Sequence, residues 1–278
     1  MQTMKKWGTV LCVLLVFTTS TALAQLVDPA EELLQAQQAG KPIPVLTIQH
    51  PEMNVTMAYA IQKAFVEKFL AHDRIAGFKA GLTTEGGQKK FGVDAPLAGV
   101  LFESGRLKAP VIIDHAAFHA LMLETEIGFV VGSAITQPLK DPAELQAHIQ
   151  AVMPVIEVPD LGFADMQQLK GLDIIAANVS ARQFIAGEEK PVEGIDLNAV
   201  PVKLTLDGQE VNVGKGADAL GDQWQAALWL VNTSIEHGWT LEPGQIIITG
   251  ALGNMIPGKP GTYLADFGDF GQIAFEIR

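Results

Sequence analysis

Three glutamates define the chemistry open to this chain. Glu124 and Glu126 stand two apart at the start of the apolar run Ile127 to Val131, and in an extended strand residues i and i+2 share a face about 7 Å apart. Both carboxylates therefore point the same way. Like charges held on one face are costly unless a cation lies between them, and magnesium or manganese takes oxygen ligands of this kind. Glu157 lies inside a second apolar run, Met153-Pro154-Val155-Ile156-Glu157-Val158, where a carboxylate needs a partner. Pairing the two runs would set three carboxylates around one cation and leave positions for water or substrate, as in an open catalytic metal site. A Glu-x-Glu pair alone reads first as decoration of a solvated strand face. His115 and His119 would share a face on a helix, half of a zinc site with no third ligand placed to complete it.

The elements that must position these groups read as a strand-dominated, mixed α+β domain. After Gly77 the chain becomes short apolar runs cut by glycine and proline: Val111 to Ile113, Ile127 to Val131, Val152 to Val158, Val202 to Leu206 and Ile246 to Thr249. That is a β rhythm. Asp207-Gly208 supplies the positive φ values of a two-residue hairpin turn. A long helix is expected from about Trp224 to His237, with Trp224, Trp229 and Trp239 read as packing residues. Before Gly77, Asp28-Pro29 followed by Glu31 and Glu32 opens one helix that Gly40-Lys41-Pro42 stops. A second helix runs from Asn54 to about Ala71, its apolar face drawn by Met57, Ile61, Ala64, Phe65 and Leu70. The expected organisation is residues 25–76 as a small helical N-terminal layer and 77–278 as the catalytic domain.

Residues 1–24 read as a secretory signal. Lys5 and Lys6 form a positive start, Trp7 to Phe17 an apolar stretch too short to span a bilayer, and Ala22-Leu23-Ala24 the small-x-small end. Cleavage after Ala24 is expected, with a periplasmic or secreted product. Cys12 is the sole cysteine and leaves with that segment, so the remaining 254 of 278 residues can form no disulfide. Two lysines leave as well, taking the formal charge from −12 to −14. Such acidity disfavours nucleic-acid binding. No later run is apolar for a membrane length, so no membrane partner is expected after signal removal.

Lys79-Ala80-Gly81-Leu82-Thr83 and the segment Gln88 to Pro96 resemble the KxGLT and QxxxGVDxP elements of the 2-keto-4-pentenoate hydratase branch of the fumarylacetoacetate hydrolase superfamily. LETEIGFVV at Leu123 to Val131 and MPVIEV at Met153 to Val158 are similar to its metal-ligand strands. GQIIITGALGNMIP, from Gly244 to Pro257, is close to its signature near the C-terminus. The resemblance runs from about Phe78 to Phe275.

It implies a fumarylacetoacetate hydrolase C-terminal-like fold, α+β and β-rich, with Glu124, Glu126 and Glu157 holding Mg2+ or Mn2+. It implies Lys79 and Asp160 as catalytic groups, and Asn178, Thr249 and Gly250 as substrate contacts. The substrate would be a 2-oxo acid that reacts through an enolate, most simply in a hydratase of 2-hydroxypentadienoate/2-keto-4-pentenoate type. Decarboxylation, carbon-carbon hydrolysis, or a periplasmic binding protein without catalysis are the alternatives, and a homo-oligomer is expected. Two family acids are replaced, by Leu97 in Pro96-Leu97-Ala98-Gly99 and by Ala177 before Asn178, and the arginine usual after Asp160 is missing. The metal cradle is kept while part of the acid-base set is altered.

Overall fold

The computed structural model describes residues 28–278; the signal reading of 1–24 lies outside the described residues. Asp28 caps helix α1 (Pro29–Gln38), its side chain accepting from the Ala30 N–H, with proline in the first turn. A short α2 (Leu46–Gln49) and the long α3 (Val55–Phe69), capped by Asn54, complete the N-terminal layer. The buried stripe of α3 is Ala58, Tyr59, Gln62, Phe65 and Val66; of the expected face Phe65 is in the core and Ile61, Ala64 and Leu70 pack partly buried against it. Met57 is exposed. Gln62 joins that stripe with its amide satisfied, donating to the carbonyls of Ala98 and Ile175, both at 2.9 Å.

Beyond this layer come β1 (Ile75–Gly81), α4 (Glu85–Phe91), β2 (Leu97–Phe102), β3 (Arg106–Lys108) and β4 (Val111–Ile113). The hairpin β5 (Met122–Val131) and β6 (Ile149–Val158) is joined through α5 (Pro142–Gln146), and α6 (Gly171–Ala176) precedes β7 (Gln183–Ala186). Then follow β8 (Pro201–Leu206), β9 (Gln209–Lys215), α7 (Gln223–Glu236), β10 (Ile246–Ile248), β11 (Ile256–Pro257), β12 (Gly261–Asp266) and β13 (Gln272–Ile277).

The strands form two sheets. The larger runs β2-β1-β10-β5-β6-β7-β3, with β11 added to β5; the smaller runs β4-β13-β12-β8-β9. The β8–β9 turn has positive φ at Asp207 and Gly208, as their types require. One face of the large sheet carries a small apolar cluster that includes Met153, Val155, Phe184, Ile246 and Ile248. The other face joins the main core, which also takes in Leu33, Phe65 and Val66 of the N-terminal helices. Asp173 ties that layer down, accepting from the Thr47 N–H and hydroxyl at 2.8 Å each. His115 and His119 share no helix face: a single 3-10 turn covers His115–Ala117 and both histidines are exposed. Trp224 packs edge-on to Phe129, and Lys63 lies over Trp239.

Candidate metal centre

The register of β5 against β6 builds the site. Glu124 stands directly opposite Glu157, and Glu126 opposite Val155, so the i, i+2 pair of one strand and one acid of the next converge on a common face. Oxygen atoms of the three carboxylates lie within 4.8 Å of one another. Glu126 and Glu157 are fully buried, while Glu124 retains some exposure. Strand β1 brings in Lys79, 2% exposed, with its Nζ 3.0 Å from Glu157 Oε1. The ammonium also donates to the Val179 carbonyl at 3.1 Å.

Burial first, and the neighbouring acids second, push Glu124 and Glu126 up to about 8 from an ordinary 4.5. Glu157 is raised to about 7, again by burial, with Lys79 pulling in the opposite direction. Burial works against the Lys79 charge, but Glu157, Glu124 and Glu126 together more than offset it and hold its pKa above the usual lysine value.

The donors fit a hard divalent cation. Glu126 Oε1 and Glu157 Oε2 are buried without a hydrogen-bond donor, and Glu157 Oε1 has only the Lys79 ammonium, as an ion pair at 3.0 Å. Buried carboxylate oxygens left in this way cost free energy, and an oxygen-seeking cation removes the cost. A cation 2.0–2.6 Å from each ligand would close the gap between these oxygens with small side-chain movements.

The remaining residues singled out in the sequence fall into two groups. The Gly250 N–H donates to Glu126 Oε2 at 2.6 Å and so orients that carboxylate. A side chain at Gly250 would strike Thr83. Thr249 is buried beneath it, its hydroxyl donating to Gln223 Oε1 at 2.6 Å. Asn178 and Asp160, by contrast, line a cavity that none of the three glutamates lines. The Asn178 amide closes on Val100, accepting from its N–H at 2.7 Å and donating to its carbonyl at 2.8 Å. Asp160 accepts from the N–H groups of His119 and Ala120.

A residue that the sequence reading passed over completes the lysine's setting. Asn178, Val179 and Ser180 have φ of 55, 50 and 57°, an unusual left-handed run for residues with side chains. This turn presents the Val179 carbonyl to Lys79. It also lays the Val179 side chain over Gly81 and Gly99, where a Cβ would come within 2.6 and 3.1 Å of it. Gly99 stands opposite Lys79 and Gly81 opposite Leu97, so the two glycines are diagonal neighbours across β1 and β2, a relation that the sequence does not display.

This geometry meets its relatives in known proteins. Residues 100–277 match the family described as fumarylacetoacetate (FAA) hydrolase C-terminal. A 2-keto-4-pentenoate hydratase of Paraburkholderia xenovorans is 35% identical over 237 residues, 84% of this chain and 87% of that protein. A 4-oxalocrotonate decarboxylase of Pseudomonas sp. CF600 is 27% identical over 239 residues, 85% of this chain and 90% of its own length. Among solved structures, 4-oxalocrotonate decarboxylase from Pseudomonas putida G7, complexed with magnesium and adipate, superposes with a TM-score of 0.84. That match has 26% identity and covers 90% of this chain and 96% of the other. The chain belongs to the fumarylacetoacetate hydrolase family of enzymes.

Proposed function

We propose that this protein is a divalent-cation-dependent lyase of short 2-oxo acids, a hydratase of the 2-keto-4-pentenoate type using Mg2+ or Mn2+. The observation that carries the reading is the buried trio Glu124, Glu126 and Glu157 with the Lys79 ammonium against it. Its support from relatives is the identity to 2-keto-4-pentenoate hydratases and the magnesium in the similar decarboxylase structure. The three carboxylates would hold the cation, which when bound supplies positive charge to polarise a keto oxygen and stabilise an enolate.

The chain's own groups have separable tasks. Of the three N–H bonds on Lys79, one goes to Val179 and one faces Glu157. The third is free to meet a substrate oxyanion, where a fixed charge in a water-poor site is most effective. Gly250 orients Glu126, and Val179 fixes the lysine. With Leu97 and Ala177 where the resemblance expects acids, proton transfer to and from water loses two groups, help worth typically 10²- to 10⁴-fold. Enolisation needs neither, so it should persist while hydration of 2-oxopent-4-enoate is slow or shifted to another substrate. Decarboxylation is the second reading, favoured by the superposition on 4-oxalocrotonate decarboxylase.

The test is solvent deuterium exchange at C3 across a panel of short 2-oxo acids in Mg2+ and Mn2+, followed by NMR. Loss of dienol absorbance and carbon dioxide release are measured alongside to separate hydration from decarboxylation. No exchange above a metal-free control would overturn the enzyme reading in favour of a binding protein. Export after Ala24 is proposed on the N-terminal sequence alone. A homo-oligomer is proposed too, supported by exposed Val211, Val213 and Leu264 on the smaller sheet and tested by light scattering.

A further inference from the structure

Glu126 owes its orientation to a peptide group that lies beyond the sheet ladder. Ile248 is the last residue of β10 in register with its neighbours, opposite Lys79 on β1 and Gly128 on β5. The chain leaves the sheet at Thr249, and the next peptide group carries the Gly250 N–H that donates to Glu126 Oε2 at 2.6 Å. The plane of that group is set by ψ of Thr249 and φ of Gly250. The latter is +109°, a value open to glycine because it has no Cβ. Glycine restrains its own backbone least, so the restraint has to come from Thr249.

Thr249 is fully buried, and its hydroxyl has one proton to give. Two acceptors lie within reach, Gln223 Oε1 at 2.6 Å and the Ile127 carbonyl at 3.3 Å, and the shorter contact takes the proton. Gln223 is fully buried as well. It is the first residue of α7, where its backbone N–H donates to Asn198 Oδ1 at 2.8 Å and its Nε2 to the Gly216 carbonyl at 2.7 Å. Gly216 in turn sits against the Leu197 carbonyl, where a Cβ would not fit. Both ends of the buried amide are therefore paired. Turning it to release Thr249 would also break its bond to Gly216 and strand polar groups away from water.

We propose that Gln223 is a positioning residue for Glu126: by fixing the Thr249 hydroxyl it keeps the Gly250 N–H on Oε2 and leaves Oε1, which has no donor, to a cation. The effect on the cation rests on the proposed metal centre, whereas the effect on the Gly250 amide does not.

Two readouts on the full chain test it, the Gly250 amide proton by NMR of glycine-labelled protein in chelator, and Mg2+ affinity by calorimetry. In Gln223→Leu and in Thr249→Val that proton should move upfield as its hydrogen bond lengthens, and Mg2+ affinity should fall at least threefold. Thr249→Ser keeps the hydroxyl and should stay within twofold of wild type, with the proton in place. The double variant Gln223→Leu/Thr249→Val should be no weaker than the worse single one, because both act through one bond. Ser234→Ala removes another buried hydrogen bond of α7, to the Leu230 carbonyl at 2.7 Å, and should leave both readouts unchanged whatever it costs in stability. Thr249→Val, close to threonine in shape, carries the test if Gln223→Leu does not fold. An unmoved Gly250 proton in Thr249→Val, a moved proton with unchanged Mg2+ affinity, or equal losses in Thr249→Ser or Ser234→Ala would overturn the proposal. So would a moved proton in Thr249→Val but not in folded Gln223→Leu, which would assign the restraint to the Ile127 carbonyl. Absence of Mg2+ binding by wild type would refute the metal centre instead, and the Gly250 proton in chelator would then decide the role of Gln223.

Discussion

Replacing Glu126 by glutamine should stabilise the metal-free protein at high pH while weakening its hold on a cation. The substitution keeps an oxygen for the Gly250 N–H and removes only the charge. Burial and Glu124 raise this carboxyl from 4.5 to about 8 in the fold. The folded state therefore keeps its proton longer than the unfolded chain does, and stability falls as pH rises from about 4.5 through 8. At about 1.4 kcal/mol for each tenfold change in proton affinity, the loss reaches about 5 kcal/mol above pH 8. Because Glu124 and Glu157 share the same ionisations, that figure is an upper bound. The amide of the Glu126→Gln variant does not ionise in this range and escapes the cost.

The assay is urea unfolding of wild type and Glu126→Gln at pH 5 and pH 9, in chelator and in saturating Mg2+, with ΔG from linear extrapolation. In chelator the two proteins should be nearly equal at pH 5, and the variant more stable by up to about 5 kcal/mol at pH 9. In Mg2+ the order at pH 9 should reverse, because wild type gains a ligand-stabilised fold and the variant lacks a charged ligand. A variant less stable than wild type in chelator at pH 9 would refute the argument that the trio is electrostatically frustrated without its cation.

Further predictions rest on the same geometry. Lys79→Met leaves the buried acids without their ammonium, so it should cost about 3–5 kcal/mol at pH 9, much less at pH 5, and suppress C3 exchange. Mg2+ affinity should rise from pH 6 to 9 as Glu124, Glu126 and Glu157, raised to about 8, 8 and 7, release their protons; calorimetry in buffers of different ionisation enthalpy would show proton release. Asn178→Ala strands the Val100 N–H and carbonyl and should cost about 2–4 kcal/mol in urea unfolding. Intact mass of protein from its native host should show a chain beginning at Gln25.

The alternation of β5 and the isolated acid of β6 made the candidate cation-binding carboxylates legible, because a strand's two-residue period fixes a face without reference to the rest of the fold. Helix caps and the Asp207-Gly208 turn were legible for the same reason: they are local. The register that sets Glu124 against Glu157 was not, since pairing depends on the whole sheet. Nor was the burial of Gln62 within α3, whose amide is satisfied by carbonyls distant in the chain.

Residue types at the metal strands thus came from sequence alone, along with the acidity that argues against nucleic acid. Tertiary structure decided which of the remaining polar groups join them. Lys79 reaches the acids because β1 enters the sheet beside β10, and Gly250 because the chain after β10 turns back over Glu126. Asp160 and Asn178 lie close to Glu157 and Lys79 in chain or in turn, yet their side chains are taken by distant backbone groups. A side chain's type states what it can bind, but its partner is whichever group the folded chain places within about 3 Å.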